Sequence, residues 1–170
     1  AESPRIRIFK MQHAAKLSGE FRGWSPKARD ARLRKLAQII NRHASASFYS
    51  VIDLAAHANT WGKALPKPMN DPYFYPFQNT IMASCMHLWD KGLRERFEII
   101  FDENLIFGPR AKAWYPVMRQ VIKYKEPDAY SISPTDPVFK KDDEFLPLQA
   151  ADLFAWCYRH ALSNPQDMSW

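Results

Sequence analysis

Two hydrophobic periods take turns along this chain, and that alternation restricts it to folds in which helices cover a sheet. Residues 5 to 11, RIRIFKM, alternate basic and apolar side chains with a period of two, as an edge or half-exposed strand does. Ser25 followed by Pro26 then starts a helix, because the hydroxyl caps and the proline ring presets the first helical φ. Leu33, Leu36, Ala37, Ile39 and Ile40 form its apolar stripe, which carries it to about His43. FYSVIDLAA, residues 48 to 56, is rich in β-branched and aromatic residues and reads as a mostly buried strand with Asp53 near its end.

The turn-rich WGKALPKPMNDP comes next, and a helix over about 73 to 91 follows it, with Pro76 in its first turn and Gly92 as its stop. RFEIIFDEN, residues 96 to 104, reads as a central strand whose apolar run ends in Asp102, Glu103 and Asn104. A helix over 109 to 124, a short strand over 130 to 133, a loop rich in Pro and Asp through Asp143, and a last helix over 145 to 161 complete the order. Four strand-and-helix pairs in succession predict an α/β fold with a mixed or parallel sheet flanked by helices.

With 170 residues, 46% of them hydrophobic, the chain is long enough for one domain spanning 1 to 170 with a sizeable core. No apolar run reaches the ~18 residues of a membrane span, and the opening AESPRIRIFKM lacks the features of a secretory signal. Cys85 and Cys157 sit in apolar helical contexts without metal or redox spacing, so buried free thiols in a reducing, cytoplasmic setting are expected. The first residue is not Met and the first segment already reads as a strand, so a native N-terminal portion is expected to be missing.

Charge adds a possible partner. The formal net charge is +6, and residues 1 to 44 hold eleven Lys and Arg against three acids. A basic face including Arg29, Arg32 and Lys35 is a candidate contact for nucleic-acid phosphates; a solvated helix surface explains the same residues equally well. With five Gly in the chain and no Gly-rich phosphate loop, a nucleotide-hydrolysing P-loop is excluded. The histidines show no metal-ligand spacing, and no Ser lies in a nucleophile elbow. Trp61, Tyr73, Phe74, Tyr75 and Phe77 flank the Pro-rich loop and read as a packing cluster more than a base-stacking platform.

The last helix, FLPLQAADLFAWCYRHA, is apolar on nearly every side and yet carries Gln149 and Asp152. An ionised Asp in apolar surroundings is costly without a cation, a metal or several donors. A salt bridge to Arg159 or a cap on a neighbouring loop would satisfy it. The alternative partner is the acidic strand end at Asp102, since open α/β sheets bind ligands beyond the carboxyl ends of their strands. Two carboxylates converging there would suit Mg²⁺ or Mn²⁺ and the cleavage of a phosphodiester.

FEIIFDEN and DDEFLPLQAADLFAW, with IFKMQHAAKL upstream, resemble the bacterial family called domain of unknown function 3800, whose last motif is an LQ.ADL.A helix. The resemblance implies a ribonuclease H-like fold with acids on the first strand, a middle strand and the last helix, holding Mg²⁺ or Mn²⁺ and processing nucleic acid. Asp102 and Asp152 match the second and third of these acids. Glu103, Gln149, Lys10 and His13 are supporting candidates. The family opens on an Asp-Glu-Ser-Gly strand that this sequence lacks, so either truncation or supply of the strand by a second chain is implied. Two functions follow: a metal-dependent nuclease, or a non-catalytic module that binds nucleic acid or a protein through the same fold.

Overall fold

The computed structural model describes residues 6–164. In chain order its elements are α1 (Met11–Lys16), a 3-10 turn (Gly19–Phe21), α2 (Pro26–His43), α3 (Leu54–Asn59), α4 (Trp61–Ala64), α5 (Phe74–Asp90), β1 (Ile100–Asp102), α6 (Phe107–Lys125), α7 (Pro127–Ser131), β2 (Val138–Lys140) and α8 (Leu146–Ser163). The fold is α/β in class but mostly helical, with one small parallel sheet of two strands among the described residues. The described residues form two compact units, one of residues 6–47 with 140–164 and one of residues 48–139.

In the first unit the core is Phe9, Met11, Ala14, Phe21 and Leu153, and the apolar side of α2 (Leu33, Leu36, Ile40) packs on it. Ser25 caps α2 as its sequence predicts, its Oγ accepting the Ala28 N–H at 3.2 Å. The 3-10 turn places Phe21 fully inside, edge-on to Phe9 with ring centres 6.1 Å apart. Burial of such a ring stabilises by about 3 kcal/mol, so truncating Phe21 would unseat this core.

The second unit is built on α5 and α6. Phe74, Phe77, Ile81 and Cys85 recur at helical spacing on α5 and bury against Ala111, Trp114, Tyr115, Met118 and Ile122 of α6. Gly92 ends α5 at φ +90: its N–H donates to the Trp89 carbonyl and the Leu93 N–H to that of Leu88, so two orphan carbonyls of the last turn are satisfied. The strands pair through the Val138 N–H and the Ile99 carbonyl at 3.0 Å, and Phe101 stacks on Phe139 across them.

Three expected strands are not strands. Over residues 6 to 10 the backbone is irregular, because the Phe9 and Met11 N–H groups are taken by side chains of α8 and no neighbouring strand offers a ladder. Residues 48 to 53 are also irregular, with Tyr49 and Val51 more than half exposed; Asp53 accepts the Ala55 and Ala56 N–H groups at 2.8 and 2.9 Å and starts α3. The region of 130 to 133 belongs to α7 and its end, because Pro127 at the first turn favours a helix. Conversely, the segment read as loop before Asp143 contains β2. The central strand is found, shortened to β1, and the expected helices correspond to α2, α5, α6 and α8.

Candidate nucleic-acid interface and the acidic residues

Asp152 does not face an apolar interior: it lies on the exposed side of α8. Its Oδ2 accepts the N–H of Met11, the first residue of α1, at 3.1 Å. The partner is therefore a backbone donor and not Arg159. The first N–H groups of a helix have no intrahelical acceptor and carry partial positive charge, so a carboxylate there is favourable without any metal. The buried polar group on α8 is Gln149, one turn earlier. Its Oε1 accepts the Phe9 N–H at 2.9 Å and its Nε2 donates to the Asp142 carbonyl at 2.6 Å.

The supporting candidates Lys10 and His13 belong to the same place. Lys10 pairs with Asp142 at 2.9 Å. His13, on α1, packs its ring against the backbone of Gly19, where φ is +50 and an added Cβ would collide with the imidazole. Four of the six acidic-site residues read from the sequence (Lys10, His13, Gln149, Asp152) thus gather around α1, where they clamp the entry of one helix to the start of another.

Asp102 and Glu103 lie in the second unit, exposed at the carboxyl end of β1. Asn104 beside them turns the chain into α6, its Oδ1 accepting from the Ile106 and Phe107 N–H groups at 2.9 and 2.8 Å. Among the described residues no three His, Cys, Asp or Glu side chains gather where they could hold a metal ion.

The basic residues of α2 separate by phase. Arg29 and Arg32 are half-buried: Arg29 pairs with Asp30 at 2.7 Å, and the Arg32 guanidinium lies 5.7 Å from the Trp24 ring centre. Lys35 is exposed, and at ~100° per residue it shares one face with Lys27, Arg34 and Arg42, all exposed. Ala31, Gln38 and Asn41 complete that face, so it holds four cations, with Asp30, paired to Arg29, at its edge. Among the described residues none of the four forms an ion pair. Lys27, Arg34 and Arg42 were not singled out from the sequence, although the apolar stripe fixes the phase and its opposite side selects them.

Both thiols are free. Burial pushes the Cys85 thiol up to about 11 and raises that of Cys157, which keeps them protonated and unreactive at neutral pH. The aromatics around the Pro-rich loop pack ring to ring, Trp61 on Tyr75 at 4.9 Å and Phe74 on Trp114 at 5.8 Å. Among the described residues no helix is long and apolar enough to cross a membrane. No family model, curated protein or solved structure matches this chain.

Proposed function

We propose that this chain is a nucleic-acid-binding module that engages phosphates through the solvent face of α2, in the cytoplasm. The observation that carries the reading is the row of exposed cations Lys27, Arg34, Lys35 and Arg42 on an 18-residue helix. At 1.5 Å per residue its ends lie about 22 Å apart, long enough to follow several phosphates of a duplex backbone. Long cationic side chains held on a rigid helix lose little further order when they meet phosphate, and released counterions drive the association. Contacts of this kind position a strand without reading its sequence, so DNA and RNA are both substrates for binding.

Titration of a labelled duplex at several salt concentrations tests this. Affinity should fall with a log–log slope of about −0.9 per neutralised phosphate, and replacing the four cations by Gln should flatten the slope. Salt-independent binding, or a slope unchanged in that variant, would count against the proposal.

A second reading is a Mg²⁺- or Mn²⁺-dependent phosphodiester hydrolase with a ribonuclease H-like fold. It is favoured by the resemblance of the FEIIFDEN and LQAADLFAW segments and by the two adjacent exposed carboxylates, Asp102 and Glu103, at the carboxyl end of β1. On this reading a first strand with its own acids, supplied by a second chain, completes the ligand set at Asp102 and Glu103. Metal-dependent cleavage by such a complete assembly, lost in Asp102→Asn, would establish it; cleavage unaffected by this change would remove it.

A further inference from the structure

The second unit contains a polar cavity of about 220 Å³ between α6, α7 and the turn leading to β2. Lys112, Pro116, Arg119 and Gln120 line it from one face of α6, Tyr130 from α7, and Thr135 and Asp136 from the turn. Arg119 is half-buried in its lining. Its guanidinium lies 5.1 Å from the Tyr130 ring centre, and its Nη2 donates to the Tyr130 hydroxyl at 3.3 Å. That ring fixes the plane of the fork. The Nε of the same group is buried and has no hydrogen-bond partner. A buried charged donor left unmatched is costly, and such groups mark a place where an acceptor is expected.

We propose that this cavity is a binding site for a phosphate monoester. The donors around it are the Arg119 fork, the Lys112 ammonium, the Gln120 amide and the Thr135 hydroxyl. Together they present more donors than the two oxygens of a carboxylate accept, and they suit the three terminal oxygens of a phosphate monoester. With Nε buried and one Nη2 N–H given to Tyr130, the Nη1–Nη2 end of the guanidinium is the part left to meet such an anion. Lys112 contributes charge at the open side, where its Nζ lies 5.1 Å from the Phe139 ring centre. Asp136, exposed on the rim, opposes the anion, and its position sets the affinity well below what the two cations alone would give. The site belongs to a different unit from the α2 face and is independent of the proposed nucleic-acid contact.

Calorimetric titration of the full chain with inorganic phosphate tests the site. Saturable one-to-one binding is expected at millimolar concentrations. Arg119→Gln should weaken it by about tenfold or more, and Arg119→Lys should weaken it nearly as much by removing the fork while keeping the charge. Asp136→Asn should tighten it severalfold. Melting curves on each variant separate loss of the site from loss of the fold. An oligonucleotide tested with and without a 5′-phosphate distinguishes the source: competition by the phosphorylated form alone assigns the site to a strand end, and competition by glycerol phosphate alone assigns it to a free ester. No binding of phosphate, or equal binding by the folded Arg119→Gln and Asp136→Asn variants, would overturn the proposal.

Discussion

The Asp152 Oδ2 accepts the Met11 N–H at 3.1 Å, so a side chain of α8 caps a helix that lies 141 residues earlier in the chain. The geometry is that of an N-terminal cap supplied from a distance. Asp152→Ala should then cost about 0.5–2 kcal/mol of stability, the usual cost of losing such an acceptor. Asp152→Asn keeps an oxygen in place and should cost less. Urea unfolding checks both, and equal loss in the two variants would point to charge and not to the cap.

Gln149 should matter more than Asp152. It is 8% exposed and bridges the Phe9 N–H to the Asp142 carbonyl, so its removal orphans two backbone groups. Gln149→Leu, close in volume, should destabilise by about 2–4 kcal/mol if each orphaned group contributes its desolvation cost. Gln149→Glu keeps the acceptor but sets a buried carboxylate oxygen against the Asp142 carbonyl, and should be at least as destabilising as Gln149→Leu at neutral pH, less so as the pH falls and the carboxyl protonates.

Helices were legible in this sequence because their signals are local. Ser25-Pro26 set the start of α2, Gly92 the end of α5, and apolar residues three or four apart fixed which sides face inward. Strands were legible only in part: the apolar run before Asp102 does form β1, but a period of two becomes a strand only when a neighbour supplies hydrogen bonds. Residues 6 to 10 have the alternation, yet the Phe9 N–H goes to Gln149, and the Met11 N–H just after them goes to Asp152. Residues 48 to 53 have the composition, yet Asp53 followed by Leu54, Ala55 and Ala56 starts a helix. The same distinction explains the acids. Asp152 lies on the exposed side of α8, and its partner is a backbone N–H, which carries no signature in sequence.

Gly92 offers a test of backbone conformation without side-chain crowding. Its φ is +90, and a Cβ added there would meet nothing within 4 Å. Gly92→Ala should therefore cost only the conformational penalty of a left-handed residue, about 1–2 kcal/mol. A shift in the urea midpoint with an unchanged slope would show that the loss is of stability alone. Gly92→Asn should recover part of it, since Asn tolerates that region better.

Cys85 gives a pH dependence with a defined sign. Burial raises its pKa from 9.0 to about 11, so the folded state holds its proton more tightly than the unfolded chain. The stability this contributes is fully present below about pH 9 and is lost as pH rises toward 11. Tyr115, whose hydroxyl is held to the Pro134 carbonyl and whose pKa is raised chiefly by burial, acts in the same direction. Unfolding free energy should then fall with pH above 9, and Cys85→Ala should make the fall shallower while lowering stability at pH 7 by the cavity it leaves. An unchanged slope in that variant would assign the alkaline loss to Tyr115.

The two sides of α2 should respond differently to charge removal. Arg34→Gln, Lys35→Gln and Arg42→Gln alter a fully solvated face, so each should leave stability within about 0.5 kcal/mol while lowering duplex affinity and reducing the salt slope. Arg29→Gln and Arg32→Gln alter residues engaged within the unit. Arg29 is committed to Asp30, and Arg32 covers Trp24, a contact that contributes about 0.5–1 kcal/mol. Arg32→Gln should therefore lower the melting temperature and barely change the slope. Paired measurements of melting and salt-dependent binding on these five variants separate a phosphate-contacting face from a structural one. If Arg29 and Arg32 carry the slope and Arg34, Lys35 and Arg42 do not, nucleic acid approaches α2 from its packed side, and the solvent-face assignment fails.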